Sequence, residues 1–213
     1  MPERVFPSGV YAITPECADT TRLLNRVDAA LKGGVAAVQY REKTGDVALR
    51  HEQASELLAL CRRHSVPLII NDDLRLADLT GADGVHLGKD DSSLREARLI
   101  LGPEKIIGIS CYQSLDLAIT AQESGADYVA FGSFHPSPTK PQAVKASIGL
   151  LRQAANCLQV PIVAIGGITV DNAKPLIDAG ADAVAVISAL FDAPDIESAA
   201  RQLNTLFVEE TES

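Results

Sequence analysis

One short pattern limits the fold more than any other feature: a glycine, one or two small residues, then a brief apolar run. It occurs as Gly34-Val-Ala-Ala-Val-Gln39, Gly81-Ala-Asp-Gly-Val-His86, Gly125-Ala-Asp-Tyr-Val-Ala130 and Gly180-Ala-Asp-Ala-Val-Ala185. Glycine suits the left-handed position just past a helix end, and the run that follows has the length of a buried parallel strand. Each copy therefore marks a junction between βα units. Reading outward from these junctions gives eight strands, starting near Val10, Ala36, Pro67, Gly84, Lys105, Tyr128, Pro161 and Ala183. Between them lie helical stretches. The clearest are Asp46 to His64, Ser114 to Ser124, Thr169 to Ala179 and Ile196 to Phe207, where apolar residues recur three and four apart, as in Leu57, Leu58 and Cys61.

Strands that alternate with helices pair in parallel. Eight units in 213 residues average about 27 each, near the lower end for a barrel of eight βα units. The competing architecture is a doubly wound open sheet. Polar residues separate the two, because they fall at the C-terminal ends of many strands. Gln39, Arg41 and Lys43 follow the second, Asn71 and Asp72 the third, Asp91 the fourth and Ser110 the fifth. Ser137 to Lys140 follow the sixth, Gly166-Gly167 the seventh and Ile187-Ser188 the eighth. An open sheet gathers ligands at one switch point, whereas a barrel collects all its βα loops at one face. The expectation is a single α/β domain over residues 1–213, a (β/α)8 TIM barrel.

Charge narrows the partners. Nineteen Lys and Arg against 28 Asp and Glu give a net charge of -9, and no basic run offers a footprint for nucleic acid or an acidic membrane. Any bound anion needs a local site. Cys17, Cys61, Cys111 and Cys157 stand singly, without a Cys-x-x-Cys pair or paired histidines, so they read as buried free thiols rather than zinc ligands. The start Met1-Pro2-Glu3-Arg4 lacks the features of a signal peptide, and no apolar run reaches the roughly 18 residues of a membrane span. A cytoplasmic location is expected.

Several residue groups carry candidate chemistry. Gln39, Arg41 and Lys43 are two apart and share one face of an extended strand, so an amide and two cations converge. Either a ligand satisfies them or they form a structural ion pair with Glu42 or a neighbouring acid. Asp72 and Asp91 end adjacent strands with hard oxygen ligands suited to Mg²⁺, which commonly completes its shell with substrate phosphates and water. The alternative is helix capping, the better reading for Asp73 and Asp90. Ser137, Thr139 and Lys140 sit in a Pro-rich loop able to cover an anion, unless that loop is a plain connection. Gly166-Gly167 and Ile187-Ser188 occupy the two places where many barrels bind phosphate through backbone N–H groups. His86, flanked by apolar residues, reads as a satisfied core histidine, and His135 as a loop imidazole able to move protons.

Taken in order, Val10-Tyr-Ala-Ile-Thr14, Gln39-Tyr-Arg-Glu-Lys43, Asn71-Asp72-Asp73, His86-Leu-Gly-Lys-Asp-Asp91, Gly108-Ile-Ser110, Pro136-Ser-Pro-Thr-Lys-Pro141, Ala164-Ile-Gly-Gly-Ile-Thr169 and Ile187-Ser188 resemble the thiamine phosphate synthase family across nearly the whole chain. That family joins a pyrimidine pyrophosphate to a thiazole phosphate on a (β/α)8 barrel and releases pyrophosphate. The resemblance implies that Gln39, Tyr40, Arg41, Glu42, Lys43, Asn71, Ser110 and Lys140 hold the pyrimidine pyrophosphate, with Arg41, Lys43, Ser110 and Lys140 as the catalytic group. It implies Asp72 and Asp91 as Mg²⁺ ligands. Ser137, Pro138, Thr139, Gly167, Ile187 and Ser188 would hold the thiazole phosphate, or its carboxylated precursor. The implied partners are these small molecules, with a homo-oligomer open. Lys89, Ser137 and His135 depart from the family's usual Gln, Thr and aromatic residue. A related thiazole tautomerase, with His135 as proton shuttle, and a non-catalytic phosphate-ligand sensor are the rival readings.

Overall fold

The chain's apolar strands close on themselves. A computed structural model describes residues 6–43, 46–88, 93–136 and 146–207, and in it eight parallel strands form a closed barrel in sequence order. They are β1 (Gly9–Ile13), β2 (Ala37–Tyr40), β3 (Leu68–Asn71), β4 (Gly84–Leu87), β5 (Ile106–Tyr112), β6 (Tyr128–Gly132), β7 (Ile162–Ile165) and β8 (Ala183–Val186). The helices are α1 (Thr20–Lys32), α2 (Val47–Arg63), α3 (Leu74–Thr80), α4 (Leu94–Leu101), α5 (Leu115–Glu123), α6 (Ile148–Cys157), α7 (Val170–Ile177), α8 (Ser188–Phe191) and α9 (Ile196–Thr205). The fold is the expected (β/α)8 TIM barrel, and the open-sheet alternative is excluded by the pairing of β1 with β8.

The repeat now has a physical explanation. Gly34, Gly81, Gly125 and Gly180 all carry positive φ, from 69° to 103°, which lets the chain leave each helix and turn into a strand. The aspartate two residues on ties the new strand to the one before it. Asp83 accepts from Leu68 N at 2.9 Å, Asp127 from Ile107 N at 2.7 Å and Asp182 from Ile162 N at 2.7 Å. Each also donates its own backbone N–H to the carbonyl of the same residue. These paired bonds satisfy strand-end groups at the N-terminal face of the barrel. Helix starts are equally well fixed, because Asp19, Asp46, Asp73, Ser93, Ser114, Ser147 and Asp195 each accept from a first-turn backbone N–H.

Two apolar layers result. Outward-facing strand residues pack with the helices in the larger cluster, whereas Phe6, Tyr11, Ile13, Ala37, Ile69 and Tyr128 are among those filling the barrel itself. Phe6 rests on Tyr128, ring centroids 4.0 Å apart, and on Tyr11 at 5.0 Å. The expectation of four buried thiols holds only for Cys61 and Cys111. Cys17 is half-buried, and Cys157, the last residue of α6, is exposed. Among the described residues, no helix is long and apolar enough to cross a membrane.

Candidate active site

Polar side chains of five different strands meet inside the barrel. Gln39 Nε2 donates to Tyr11 Oη at 2.8 Å, and Tyr11 Oη lies 2.9 Å from Tyr128 Oη. His86 continues the chain, with Nδ1 2.9 Å from Tyr128 Oη and Nε2 2.9 Å from Ser110 Oγ. Gln39 is 3% exposed and His86 7%, so nearly all of this is removed from water. Burial holds both tyrosine phenols well above their usual range. Gly108 makes the chain possible: a Cβ there would meet the Tyr128 ring at 1.9 Å. His86 is thus a satisfied interior histidine, as its surroundings in the sequence suggest, and it also touches Ser110. Beyond Ser110 the register of β5 against β6 shifts between Ser110 and Tyr112, an irregularity of the kind that re-aims side chains beside active sites.

The rim above β1 and β2 is braced from the sides. Thr14, fully buried, accepts from Arg41 N at 2.9 Å. Cys17 N donates to Glu42 Oε2 at 3.2 Å, Gln53 Nε2 to Cys17 O at 2.8 Å, and Tyr40 Oη to Gln53 Oε1 at 2.8 Å. Strand alternation explains the split: Gln39 points into the barrel, so Tyr40 points out toward α2. The Tyr40 phenol thus braces the β2 loop against α2. Glu42 likewise has a carboxylate oxygen on the Cys17 backbone. Arg41 faces the rim, mostly buried, with a guanidinium N 3.4 Å from Glu16, so the neighbouring-acid alternative is realised in this state. Lys43 is exposed.

At the end of β3, Asn71 is half-buried and Asp72 exposed. Asp72 has φ of 62° and donates its N–H to His86 O at 2.9 Å. Left-handed backbone at a non-glycine residue is uncommon, and it presents this carboxylate at the barrel mouth. An exposed carboxylate at this strand end offers hard oxygens of the kind Mg²⁺ takes. Asp73 instead accepts from Leu76 N at 2.9 Å and from Arg50 at 2.9 Å, so it caps α3 as expected. Among the described residues, no three His, Cys, Asp or Glu side chains converge on a metal position.

Across the ring, β7 and β8 end in Gly166-Gly167 and Ile187-Ser188. Gly167 has φ of 61°, and a Cβ there would lie 2.3 Å from Pro136 O and 2.8 Å from His135 O. The glycine is thus required first by the β6 loop packed against it. Ile187 and Ser188 are half-buried and lead into α8, which Arg26 secures by a bond to Phe191 O and a guanidinium 5.5 Å over the Phe191 ring. His135 Nε2 is buried without a hydrogen-bond partner among the described residues.

Gln39, Arg41, Asn71, Asp72, Ser110, Gly167, Ile187 and Ser188 therefore share the C-terminal mouth, those of β2 to β5 on one side and those of β7 and β8 on the other. Asp91, Ser137, Pro138, Thr139 and Lys140, with Lys89, lie outside the described residues. Sequence reasoning missed Tyr11, Tyr128, Gly108 and Gln53 as site supports. Tyr11 and Tyr128 fall in quoted motifs, yet nothing local says that their hydroxyls meet.

The family model described as thiamine monophosphate synthase matches residues 10–190. The chain is 70% identical over 209 residues to a thiamine-phosphate synthase of Thiobacillus denitrificans, covering 98% of this chain and 99% of the relative. It is 57% identical to one from Nitrosospira multiformis, covering 94% and 86%. A solved thiamine phosphate pyrophosphorylase from Pyrococcus furiosus superposes with a TM-score of 0.82 at 35% identity, covering 93% of this chain and 94% of that one.

Proposed function

The chain belongs to the thiamine monophosphate synthase family and is a transferase of thiamine biosynthesis, and from that premise we propose how its barrel mouth divides the work. The strand ends from β2 to β5 take the pyrimidine pyrophosphate, and those of β7 and β8 take the thiazole phosphate or its carboxylated precursor. The observation that supports this most is the placement of Gln39, Asn71, Asp72 and Ser110 opposite Gly167, Ile187 and Ser188 around one closed ring.

The reaction breaks the bond between the pyrimidine methylene carbon and its pyrophosphate oxygen, and the pyrophosphate leaves with the electron pair. The electron-rich aminopyrimidine ring stabilises the resulting cation, and the thiazole nitrogen then forms the new C–N bond. No covalent nucleophile is needed. Arg41, Lys43 and Lys140 offset the charge of the departing group, with Arg41 moving from Glu16 to the phosphates. Gln39, Asn71 and Ser110 orient the pyrimidine so that its methylene faces the second substrate. Asp72 and Asp91 would hold Mg²⁺, which when bound supplies further positive charge at the leaving pyrophosphate. Gly167, Ile187 and Ser188 offer backbone N–H groups to the monophosphate. The chain acts in the cytoplasm.

Competition kinetics test the division. Inorganic pyrophosphate should compete with the pyrimidine substrate and inorganic phosphate with the thiazole substrate, each without competing against the other partner. If both anions compete with the same substrate, the two-sided mouth is wrong.

A further inference from the structure

We propose that His86 and Tyr128 are positioning residues for the pyrimidine: with Tyr11 they form a hydrogen-bonded wire that fixes which polarity Gln39 and Ser110 present to it. This rests on the assignment of Gln39 and Ser110 to the pyrimidine side.

Donor counting sets the direction of the wire. Tyr11 Oη accepts from Gln39 Nε2, and its remaining neighbour in the wire is Tyr128 Oη at 2.9 Å. Its own proton must therefore go to Tyr128; the reverse arrangement would strand that proton inside the barrel, where a buried donor without an acceptor is destabilising. Tyr128 then donates onward to His86 Nδ1. An imidazole that accepts at Nδ1 carries its proton on Nε2, so His86 donates to Ser110 Oγ. Ser110 is left with its hydroxyl proton to give to a ligand, and Gln39 with Oε1 to accept. A donor on β5 and an acceptor on β2 suit an aminopyrimidine edge, which carries an N–H₂ donor next to a ring-nitrogen acceptor.

Packing keeps the wire in one arrangement. The His86 and Tyr128 rings lie 5.5 Å apart at 19°, Tyr128 meets Tyr11 edge-on at 87°, and Phe6 closes the stack from below. The missing side chain at Gly108 opens the space that the Tyr128 ring crosses.

Steady-state pyrophosphate release, varying each substrate in turn, tests the proposal in wild type, Tyr128→Phe, His86→Phe and His86→Gln. Tyr128→Phe and His86→Phe should lower kcat/KM for the pyrimidine pyrophosphate about tenfold or more, while KM for the thiazole phosphate stays within about twofold. His86→Gln retains an N–H toward Ser110 and should recover most of the His86→Phe loss. Tyr128→Phe keeps ring shape and volume, so it carries the test even if a His86 variant fails to fold. Equal losses on both substrates, or unchanged kinetics in folded Tyr128→Phe, would overturn the wire. A wild-type chain that releases no pyrophosphate would instead overturn the pyrimidine assignment beneath it.

Discussion

Single carboxylates do different work at the two ends of this barrel. Asp182 holds the first N–H of β7 at the N-terminal face, far from the mouth. Asp182→Ala leaves that buried donor without its partner and should lower unfolding stability by about 1–3 kcal/mol in urea titrations, with kcat unchanged. Asp72, exposed at the mouth, behaves oppositely. Asp72→Ala should lower turnover at least tenfold, about 1.4 kcal/mol in barrier, with the urea midpoint little changed. Thiol chemistry separates the cysteines by burial. Burial pushes the Cys61 and Cys111 thiols from 9.0 up to about 12, with the Asp83 charge adding to the effect at Cys61. Raised values of this kind give stability that is complete below pH 9.0 and declines as pH rises toward 12. At pH about 8 an alkylating reagent should therefore label exposed Cys157 first and reach Cys61 and Cys111 only on unfolding, as peptide mass mapping would show.

Elements were the most legible level, because their signals are local. The Gly-Ala-Asp junctions carry both the helix exit and the strand entry, and the strands begin within a residue of where the apolar runs start. What joins the elements inside the barrel was not legible. The wire from Gln39 to Ser110 needs Tyr11, Tyr128 and His86 to meet across strands separated by tens of residues, and only Gly108 hints at the space. Tyr40 shows the same limit at shorter range: it adjoins Gln39 in a polar motif, yet alternation sends it to Gln53 on α2. The glycine pair after β7 was found for phosphate approach, but the structure adds the close backbone of His135 and Pro136. Gly167→Ala should displace that loop and, if β7 and β8 bind the thiazole phosphate, raise its KM at least tenfold while leaving the pyrimidine KM within about threefold.

At the scale of the whole molecule, closure of the ring is what turns dispersed strand ends into one site. Residues of β2 to β5 and of β7 and β8 are far apart in the chain and face one another only because β8 returns to β1. The net charge of -9 does nothing to attract two anionic substrates, so local cations and N–H groups must do so at the mouth. We propose that this mouth joins two substrates and expels pyrophosphate with the help of Mg²⁺. Pyrophosphate release by the purified protein, measured with both substrates, with each alone and with a chelator added, decides this. Release that requires both substrates and stops with the chelator is the predicted result. Release from the pyrimidine substrate alone at the full rate, or none with both substrates and Mg²⁺ present, would contradict it.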